Sequence, residues 1–193
     1  IRNRRLRTSN ALRSLVQETT LTVDDFIAPL FVVEGTGIKE EILSMPGQYR
    51  MSLDLLEDEI RELTALNLKA VLLFAKTDDA KKDNEGVEAW NPEGLMQRAI
   101  KSVKAVNSEM LVLTDVALDP FSIYGHDGIV AGGKVLNDPT VEALCKMSVS
   151  HARAGADLVA PSDMMDGRII EIRKALDAEG FEDVGILSYA AKY

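Results

Sequence analysis

The sequence predicts an α/β protein, and within that class a (β/α)8 TIM barrel with an N-terminal arm, of which this chain supplies about the first five strands. Apolar runs typical of buried strands alternate with amphipathic helical segments along the chain, and such alternation is typical of parallel α/β architecture. No G-x-G-x-x-G motif follows the first run, so an open sheet that binds a dinucleotide lacks its main signature. Polar residues follow the ends of several runs, where a barrel builds its active site.

Five strands and four intervening helices are predicted. The helices carry apolar residues at three- and four-residue spacing, as Leu53, Leu56 and Ile60 do in the first of them. The second helix is expected to begin at Asn91 as its N-cap, with Pro92 in the first helical position. The predicted strands are 27–33, 68–74, 110–118, 156–161 and 185–193, and the predicted helices are 52–66, 91–106, 137–155 and 166–180.

The strand count falls short of a closed barrel. A complete barrel has eight strands and about 250 residues, whereas this chain has 193 residues. We therefore expect the chain to be the N-terminal portion of a longer protein. Because an unclosed barrel exposes strand edges, these residues alone are expected to be inactive and poorly soluble.

Composition and charge narrow the functional classes. Hydrophobic residues make up 46% and charged residues 27% of the chain, which is typical of a globular domain. No apolar run approaches the roughly 18–20 residues of a membrane span, so no membrane partner is expected. Cys145 is the single cysteine, which excludes an internal disulfide and favours a reducing compartment such as the cytoplasm.

The net charge of −9 is unevenly distributed. Residues 1–13 hold five arginines and no acidic residue, and the rest holds 17 basic against 31 acidic residues, a net charge of −14. An acidic body argues against a nucleic-acid partner. The basic start is open to several interpretations: a targeting remnant, a nucleic-acid arm, solvated charge, or an arm that docks on a neighbouring acidic subunit. We divide the chain into this arm, 1–13, and one barrel domain, 14–193.

Lys192 is the candidate catalytic residue. It follows the small and apolar residues of the last predicted strand. Desolvation, or a second nearby cation, lowers the pKa of a lysine and frees its amine to attack a ketone. The predicted chemistry is Schiff-base formation without a metal.

Two further segments carry polar residues at strand ends. TDVALDPFSIYGHDG (114–128) contains Asp115, Asp119 and Asp127, which could bind a hard cation such as Mg²⁺ or could form turns in a Gly-rich loop. APSDMMDGR (160–168) contains Ser162 and Asp163, which could bind a substrate or cap the following helix. We predict that Asp115, Ser162 and Asp163 bind substrate.

Several segments together resemble one known family. The chain is similar, in order and over essentially all of its residues, to porphobilinogen synthase (5-aminolevulinate dehydratase), and APSDMMDGR and the GHDG loop are very specific. The segments that carry the resemblance are RRLRTSNALRSLVQETTLT, PLFVVEG, SMPGQYR, TDVALDPFSIYGHDG, LNDPTVE, AGADLVAPSDMMDGR and SYAAKY.

The resemblance implies a (β/α)8 barrel that condenses two molecules of 5-aminolevulinate to porphobilinogen, an early step of tetrapyrrole synthesis. It places Lys192 as the first of two Schiff-base lysines; the second belongs to a later strand that this chain lacks. It also implies a homo-oligomer, with an octamer expected, in which N-terminal arms wrap neighbouring subunits. The expected compartment is the cytoplasm, or a plastid if the source is a plant or alga.

The metal-binding pattern departs from that of the zinc-dependent members of the family. Those members carry three cysteines near the GH motif, where this chain has Ala117, Asp119 and Asp127. The resemblance is therefore to an aspartate-bearing branch with Mg²⁺ as activator, no zinc and no organic cofactor. Asp119 and Asp127 are the candidate metal ligands, although the main activator site of the family lies outside this segment.

Two other functions stay open at this point. The Lys192 argument alone also permits a different class I Schiff-base barrel, such as an aldolase, although the APSDMMDGR and GHDG segments count against it. The missing second lysine permits an inactive fragment or paralogue that only binds or assembles. Substrate profiling, and the residues that the gene encodes after Tyr193, discriminate among these hypotheses.

Overall fold

A computed structural model describes residues 1–191 and contains a seven-stranded, mostly parallel sheet. The strand order is β2-β3-β1-β4-β5-β8-β9, and β6 and β7 form a separate hairpin. The strands are β1 Ile27–Val33, β2 Lys39–Glu41, β3 Tyr49–Met51, β4 Ala70–Lys76, β5 Leu111–Val116, β6 Ile129–Ala131, β7 Lys134–Leu136, β8 Leu158–Pro161 and β9 Gly185–Ile186. The α-helices are α1 Asn10–Leu15, α2 Leu53–Ala65, α3 Leu95–Val106, α4 Asn137–Ala154 and α5 Arg168–Ala178. Single turns of 3-10 helix cover Asn3–Arg7, Val23–Asp25, Asp79–Lys81 and Val87–Trp90.

The five predicted strands and the four predicted helices between them are confirmed. β1, β4, β5, β8 and β9 are neighbours in that order, and every pair is parallel. β1 and β4 pair in register over their full length, from Ile27 opposite Ala70 to Val33 opposite Lys76. All five strands therefore end at the same edge of the sheet.

The helices that follow β1, β4, β5 and β8 pack on one face of the sheet. Strand residues on this face, such as Val32, Leu73 and Val112, pack with helix residues in a buried core. The other face carries a smaller cluster contributed by strands, including Leu72, Leu113 and Ala160. A doubly wound sheet has helices on both faces, so the one-sided cover fits the wall of a barrel whose interior is the second face.

Two predicted boundaries are wrong by more than two residues, and four short strands were not predicted. α3 begins at Leu95 with Gly94 as its N-cap. The side chain of Asn91 instead accepts a 3.0 Å hydrogen bond from the amide of Glu93, and this turn delays the helix. The last strand covers only Gly185–Ile186. The two-residue turn Gly132–Gly133, with both φ angles positive, closes the β6–β7 hairpin.

The basic N-terminal segment lies at the surface. Residues 1–29 contain no buried residue, and Leu30 is the first one along the chain. Within this segment α1 is capped by Ser9, whose Oγ accepts a 3.1 Å hydrogen bond from the amide of Leu12. In residues 1–191, no helix combines the length and apolar character that crossing a membrane requires.

Candidate active site

Asp115 and Ser162 meet where two neighbouring strands end. Asp115 lies opposite Ala160 in the parallel β5–β8 ladder, and Ser162 follows β8 directly. The Ser162 hydroxyl donates a 2.6 Å hydrogen bond to Oδ1 of the buried Asp115. The pairing of the strands therefore fixes a carboxylate and a hydroxyl side by side, at the strand ends where the sequence analysis expected both residues.

Asp163 is held by its own loop and by Arg168. Its Oδ1 accepts a 2.8 Å hydrogen bond from the amide of Met165, and its Oδ2 lies 3.1 Å from Arg168 Nε. The latter two atoms are close but not aligned for a hydrogen bond, so the contact is an ion pair only. Burial raises the pKa of Asp163, the Met165 amide and the Arg168 charge oppose that shift, and the nearby Asp127 charge adds to it.

Neither Ser162 nor Asp163 caps the following helix, although a cap was the alternative interpretation of this segment. α5 begins at Arg168, and its N-cap is Gly167 in a left-handed conformation. Asp163 lies four residues before that glycine, too far along the chain for the N-cap position.

The two candidate metal ligands differ in their surroundings. Asp127 is buried and lies close enough to Asp163 for its charge to raise the pKa of that residue. Asp119 is exposed at a small cleft that is also lined by Arg50, Lys76 and Lys82. Across residues 1–191, no group of three or more His, Cys, Asp and Glu side chains is arranged to hold a metal ion. The donors in this part of the chain therefore do not by themselves form a metal site.

Lys192, the predicted nucleophile, lies outside the described residues. The chain that leads to it runs beside β8: the amide of Leu187 bonds the carbonyl of Val159 at 2.9 Å, and the amide of Tyr189 bonds that of Pro161 at 3.2 Å. This path carries the chain toward the end of β8, where Ser162 lies.

Tyr189 is a neighbour of Asp115 that the sequence analysis missed. Burial raises the pKa of the Tyr189 phenol, and the negative charge of Asp115 raises it further. Arg168 Nη2 also lies 3.5 Å from the Tyr189 carbonyl oxygen, at the limit of a hydrogen bond. Two sequence signals were available: Tyr189 precedes Lys192 by three residues in a predicted strand, and it belongs to the SYAAKY segment that carries the family resemblance.

A cleft larger than the one beside Asp119 lies on the outer helices. It measures about 500 Å³, and Trp90, Cys145, Lys146 and Ala175 are among its lining residues. Burial raises the pKa of the Cys145 thiol to about 11, so the thiol stays protonated and is a poor nucleophile at neutral pH. Ligands of parallel α/β sheets bind at the carboxyl ends of the strands, so we assign the site to Asp115 and its neighbours rather than to the larger cleft.

Comparison with known proteins gives one consistent result. A sequence model of the delta-aminolevulinic acid dehydratase family matches residues 1–193. The delta-aminolevulinic acid dehydratase of Methanothermus sociabilis is 50% identical over 192 residues, which are 100% of this chain and 59% of that protein. A chloroplastic delta-aminolevulinic acid dehydratase of Oryza sativa subsp. japonica is 50% identical over 194 residues, covering 100% of this chain and 45% of that protein.

A solved structure agrees over the whole chain. The delta-aminolevulinic acid dehydratase (porphobilinogen synthase) of Toxoplasma gondii ME49, in complex with the reaction product porphobilinogen, superposes with a TM-score of 0.96 at 48% sequence identity. The match covers 100% of this chain and 55% of that one. This chain thus spans about half of the solved protein's length.

Proposed function

The chain belongs to the delta-aminolevulinic acid dehydratase family, and from this membership we propose that the protein is a lyase that condenses two molecules of 5-aminolevulinate. The products are one porphobilinogen and two waters, in the synthesis of tetrapyrroles. The observation that carries the proposal is the Asp115–Ser162 pair at the carboxyl ends of β5 and β8, joined by a 2.6 Å hydrogen bond. It lies at the strand ends, and residues 185–189, which run beside β8 toward the same edge, precede Lys192 in the sequence.

Lys192 is the proposed nucleophile. Its neutral amine attacks the ketone carbon of one 5-aminolevulinate, a carbon–nitrogen bond forms, and the ketone oxygen leaves as water to give an imine. The imine carbon is more electrophilic than the ketone, and it anchors the substrate beside the second one. The resemblance implies a second Schiff-base lysine on a later strand, whose positive charge would help keep Lys192 neutral near pH 7.

Asp115 and Ser162 are the proposed substrate-binding groups. A carboxylate and a hydroxyl at hydrogen-bond distance can accept from the ammonium group of 5-aminolevulinate and orient it toward the imine. The prediction that Asp163 binds substrate is less well supported, because its two oxygens already face the Met165 amide and Arg168. We propose that Asp163 acts mainly by holding Arg168 beside the site.

Family membership supports a metal-dependent enzyme in general, and we propose Mg²⁺ as the activator, with no zinc and no organic cofactor. The support is Asp119 and Asp127, which stand where zinc-dependent relatives carry cysteines. A bound Mg²⁺ would supply positive charge near developing negative charge. Its main ligands are expected outside this segment, and Asp119 and Asp127 stay candidate ligands.

We also propose a homo-oligomer, with an octamer as the expected form. The basic segment 1–13, which contains no buried residue, is proposed as an arm that docks on the acidic barrel, 14–193, of a neighbouring subunit. No nucleic-acid or membrane partner is proposed. The proposed compartment is the cytoplasm, or a plastid in a plant or alga. Light scattering of a variant without residues 1–13 tests the arm: a smaller assembly is expected, and an unchanged one would contradict it.

The direct test of the function is to trap the imine. The protein encoded by the complete gene is incubated with 5-aminolevulinate and borohydride, with and without Mg²⁺, and the adduct is located by intact mass and peptide mapping. We expect an adduct on Lys192 that the Lys192→Ala variant loses. Lys174→Ala is the matched control, because Lys174 is an exposed lysine paired with Glu171. Absence of both adduct and porphobilinogen would overturn the proposal.

A further inference from the structure

The segment 124–128 has irregular structure and contains a residue of the candidate site. It joins the end of the β5 region to β6 and contains His126, which is exposed, and Asp127, which is buried close to Asp163. No helix or strand covers 124–128, so the position of Asp127 depends on how the two ends of this segment are held.

The main chain of Asp83 holds the first end. Its amide donates to the carbonyl of Phe121 at 3.2 Å, and its carbonyl accepts from the amide of Ile123 at 3.1 Å. These two bonds form an isolated parallel bridge between Asp83 and Ser122. The connection from β4 to α3 is thereby joined to the chain immediately before residue 124.

The side chain of Asn84, the next residue, holds the second end. Its Nδ2 donates to the carbonyl of Val130 at 3.0 Å, and its Oδ1 accepts from the amide of Val130 at 3.0 Å. The amide group thus pairs with both backbone groups of one β6 residue, as a neighbouring strand would. Two consecutive residues, Asp83 and Asn84, therefore hydrogen-bond to the chain at both ends of the segment that contains Asp127.

A rigid turn presents this pair of residues. Asp83 Oδ1 accepts from the amides of Glu85 at 2.8 Å and Gly86 at 2.5 Å. Gly86 has φ of 71°, and a Cβ there would lie 3.1 Å from Leu118 Cδ2, so glycine permits both the turn and the close approach of the two connections. The turn is thereby held by hydrogen bonds of its own, in addition to the bonds that Asn84 makes to Val130.

We propose that Asn84 is a positioning residue, which fixes Asp127 in the active site by clamping the segment 124–128 to the β4–α3 connection. Its catalytic consequence rests on the proposed function, but the clamp itself does not. Asn84 contacts the backbone of Val130 and is assigned no contact with substrate.

Hydrogen exchange measures the clamp directly. In Asn84→Ala, amide exchange in peptides covering 124–131 is expected to rise about tenfold or more, because both bonds to Val130 are lost. Asn84→Asp keeps an acceptor for the Val130 amide but cannot donate, so it should give an intermediate rate. The matched control is Asn107→Ala, since Asn107 makes side-chain bonds to Thr64 and Glu109 at the opposite end of the sheet.

Kinetics measure the positioning role in the protein encoded by the complete gene. In Asn84→Ala, kcat should fall about tenfold or more because small misplacements at a reacting centre are costly. KM should stay within about twofold because the Asp115–Ser162 pair is unchanged.

Unchanged exchange in 124–131 would overturn the clamp, and raised exchange with unchanged kcat would overturn the positioning role. If the unsubstituted protein forms no porphobilinogen, the proposed function fails, and the exchange result alone decides whether Asn84 holds the segment.

Discussion

Ser162 Oγ lies 2.6 Å from Asp115 Oδ1, across the ends of two adjacent parallel strands. This distance is within the range of about 2.5–2.7 Å for a hydroxyl that donates to an ionised carboxylate. Because Asp115 is buried, the hydroxyl both orients the carboxylate and stabilises its charge.

Replacing Ser162 by alanine should therefore impair catalysis more than folding. We expect kcat/KM of Ser162→Ala to fall about 10- to 100-fold, since a hydrogen bond to a charged group contributes about 1.5–3 kcal/mol. Steady-state kinetics with 5-aminolevulinate measure the change. Ser108→Ala, at an exposed serine, is the control, and equal activity in both variants would contradict the proposed role.

Arg168 should stabilise the fold through Asp163. The Asp163 side chain is fully buried and that of Arg168 is 18% exposed, so Arg168→Met would leave a buried carboxylate without its cation. We expect a loss of about 3–5 kcal/mol in the free energy of unfolding at pH 7, measured by urea denaturation. Arg153→Met, which breaks an exposed ion pair with Glu179, should cost about 1 kcal/mol or less.

The same variant should show a particular pH dependence. Burial disfavours the charged form of Asp163 and so raises its pKa. The folded protein therefore holds this proton more tightly than the unfolded chain does, and the stability that the proton contributes at low pH is lost as the pH rises through the folded-state pKa. Removing Arg168 takes away a charge that opposes this shift, so part of the loss in Arg168→Met should be recovered as the pH is lowered, and Asp163→Asn in the same chain should recover it at pH 7. A loss that neither change reduces would contradict this account.

The buried His151 should make the folded protein less stable as the pH falls. It lies on α4 and is fully buried against β5, with Nδ1 2.9 Å from Thr114 Oγ1. Burial lowers its pKa from 6.5 to about 3, and the Ala89 carbonyl opposes this only in part. The unfolded chain thus binds a proton that the folded protein excludes, so the stability is complete above about pH 6.5 and is lost as the pH falls toward 3.

His151→Gln removes this titration. Between pH 7 and pH 5, its free energy of unfolding should decline by about 2 kcal/mol less than that of the unsubstituted protein, as measured by urea denaturation. Thr114→Val is the control: it removes the partner of His151 but keeps the titrating ring, so the full decline should persist. Parallel declines in the His151→Gln variant and the unsubstituted protein would contradict the account.

The fold was largely predictable because it depends on short-range patterns. Apolar runs and helical periodicity located β1, β4, β5 and β8, and the carboxyl ends of parallel strands meet at one edge of a sheet. That rule led us to expect Asp115 and Ser162 at the same edge of the sheet, and both lie there. The start of α3 was wrong because Asn91 can cap a turn as readily as a helix, and local sequence does not discriminate between the two.

The missed parts of the site depend on pairs that are distant in sequence. Asn84 and Val130 are 46 residues apart, and neither belongs to a pattern that indicates contact. Tyr189 lies near Asp115 only because β9 pairs with β8. The strands β2 and β3 are three residues long, too short for alternation to distinguish them from loop. The role of Lys192 stays a prediction.

Gly128, which follows Asp127, should tolerate no side chain. A Cβ there would lie 2.5 Å from Val135 Cγ1 and 3.1 Å from Thr140 Oγ1. Neither group can yield easily, because valine is stiff at χ1 and the Thr140 hydroxyl bonds both the Ile129 amide and the Leu136 carbonyl.

Gly128→Ala should therefore displace the segment 124–128 and lower kcat about tenfold or more, with faster amide exchange in peptides covering 124–131. Gly125→Asn is the matched control: its φ of 59° suits asparagine, and no atom lies within 4 Å of the added Cβ. A Gly128→Ala protein with unchanged kcat and exchange would show that the hairpin moves to accommodate the methyl group without disturbing Asp127.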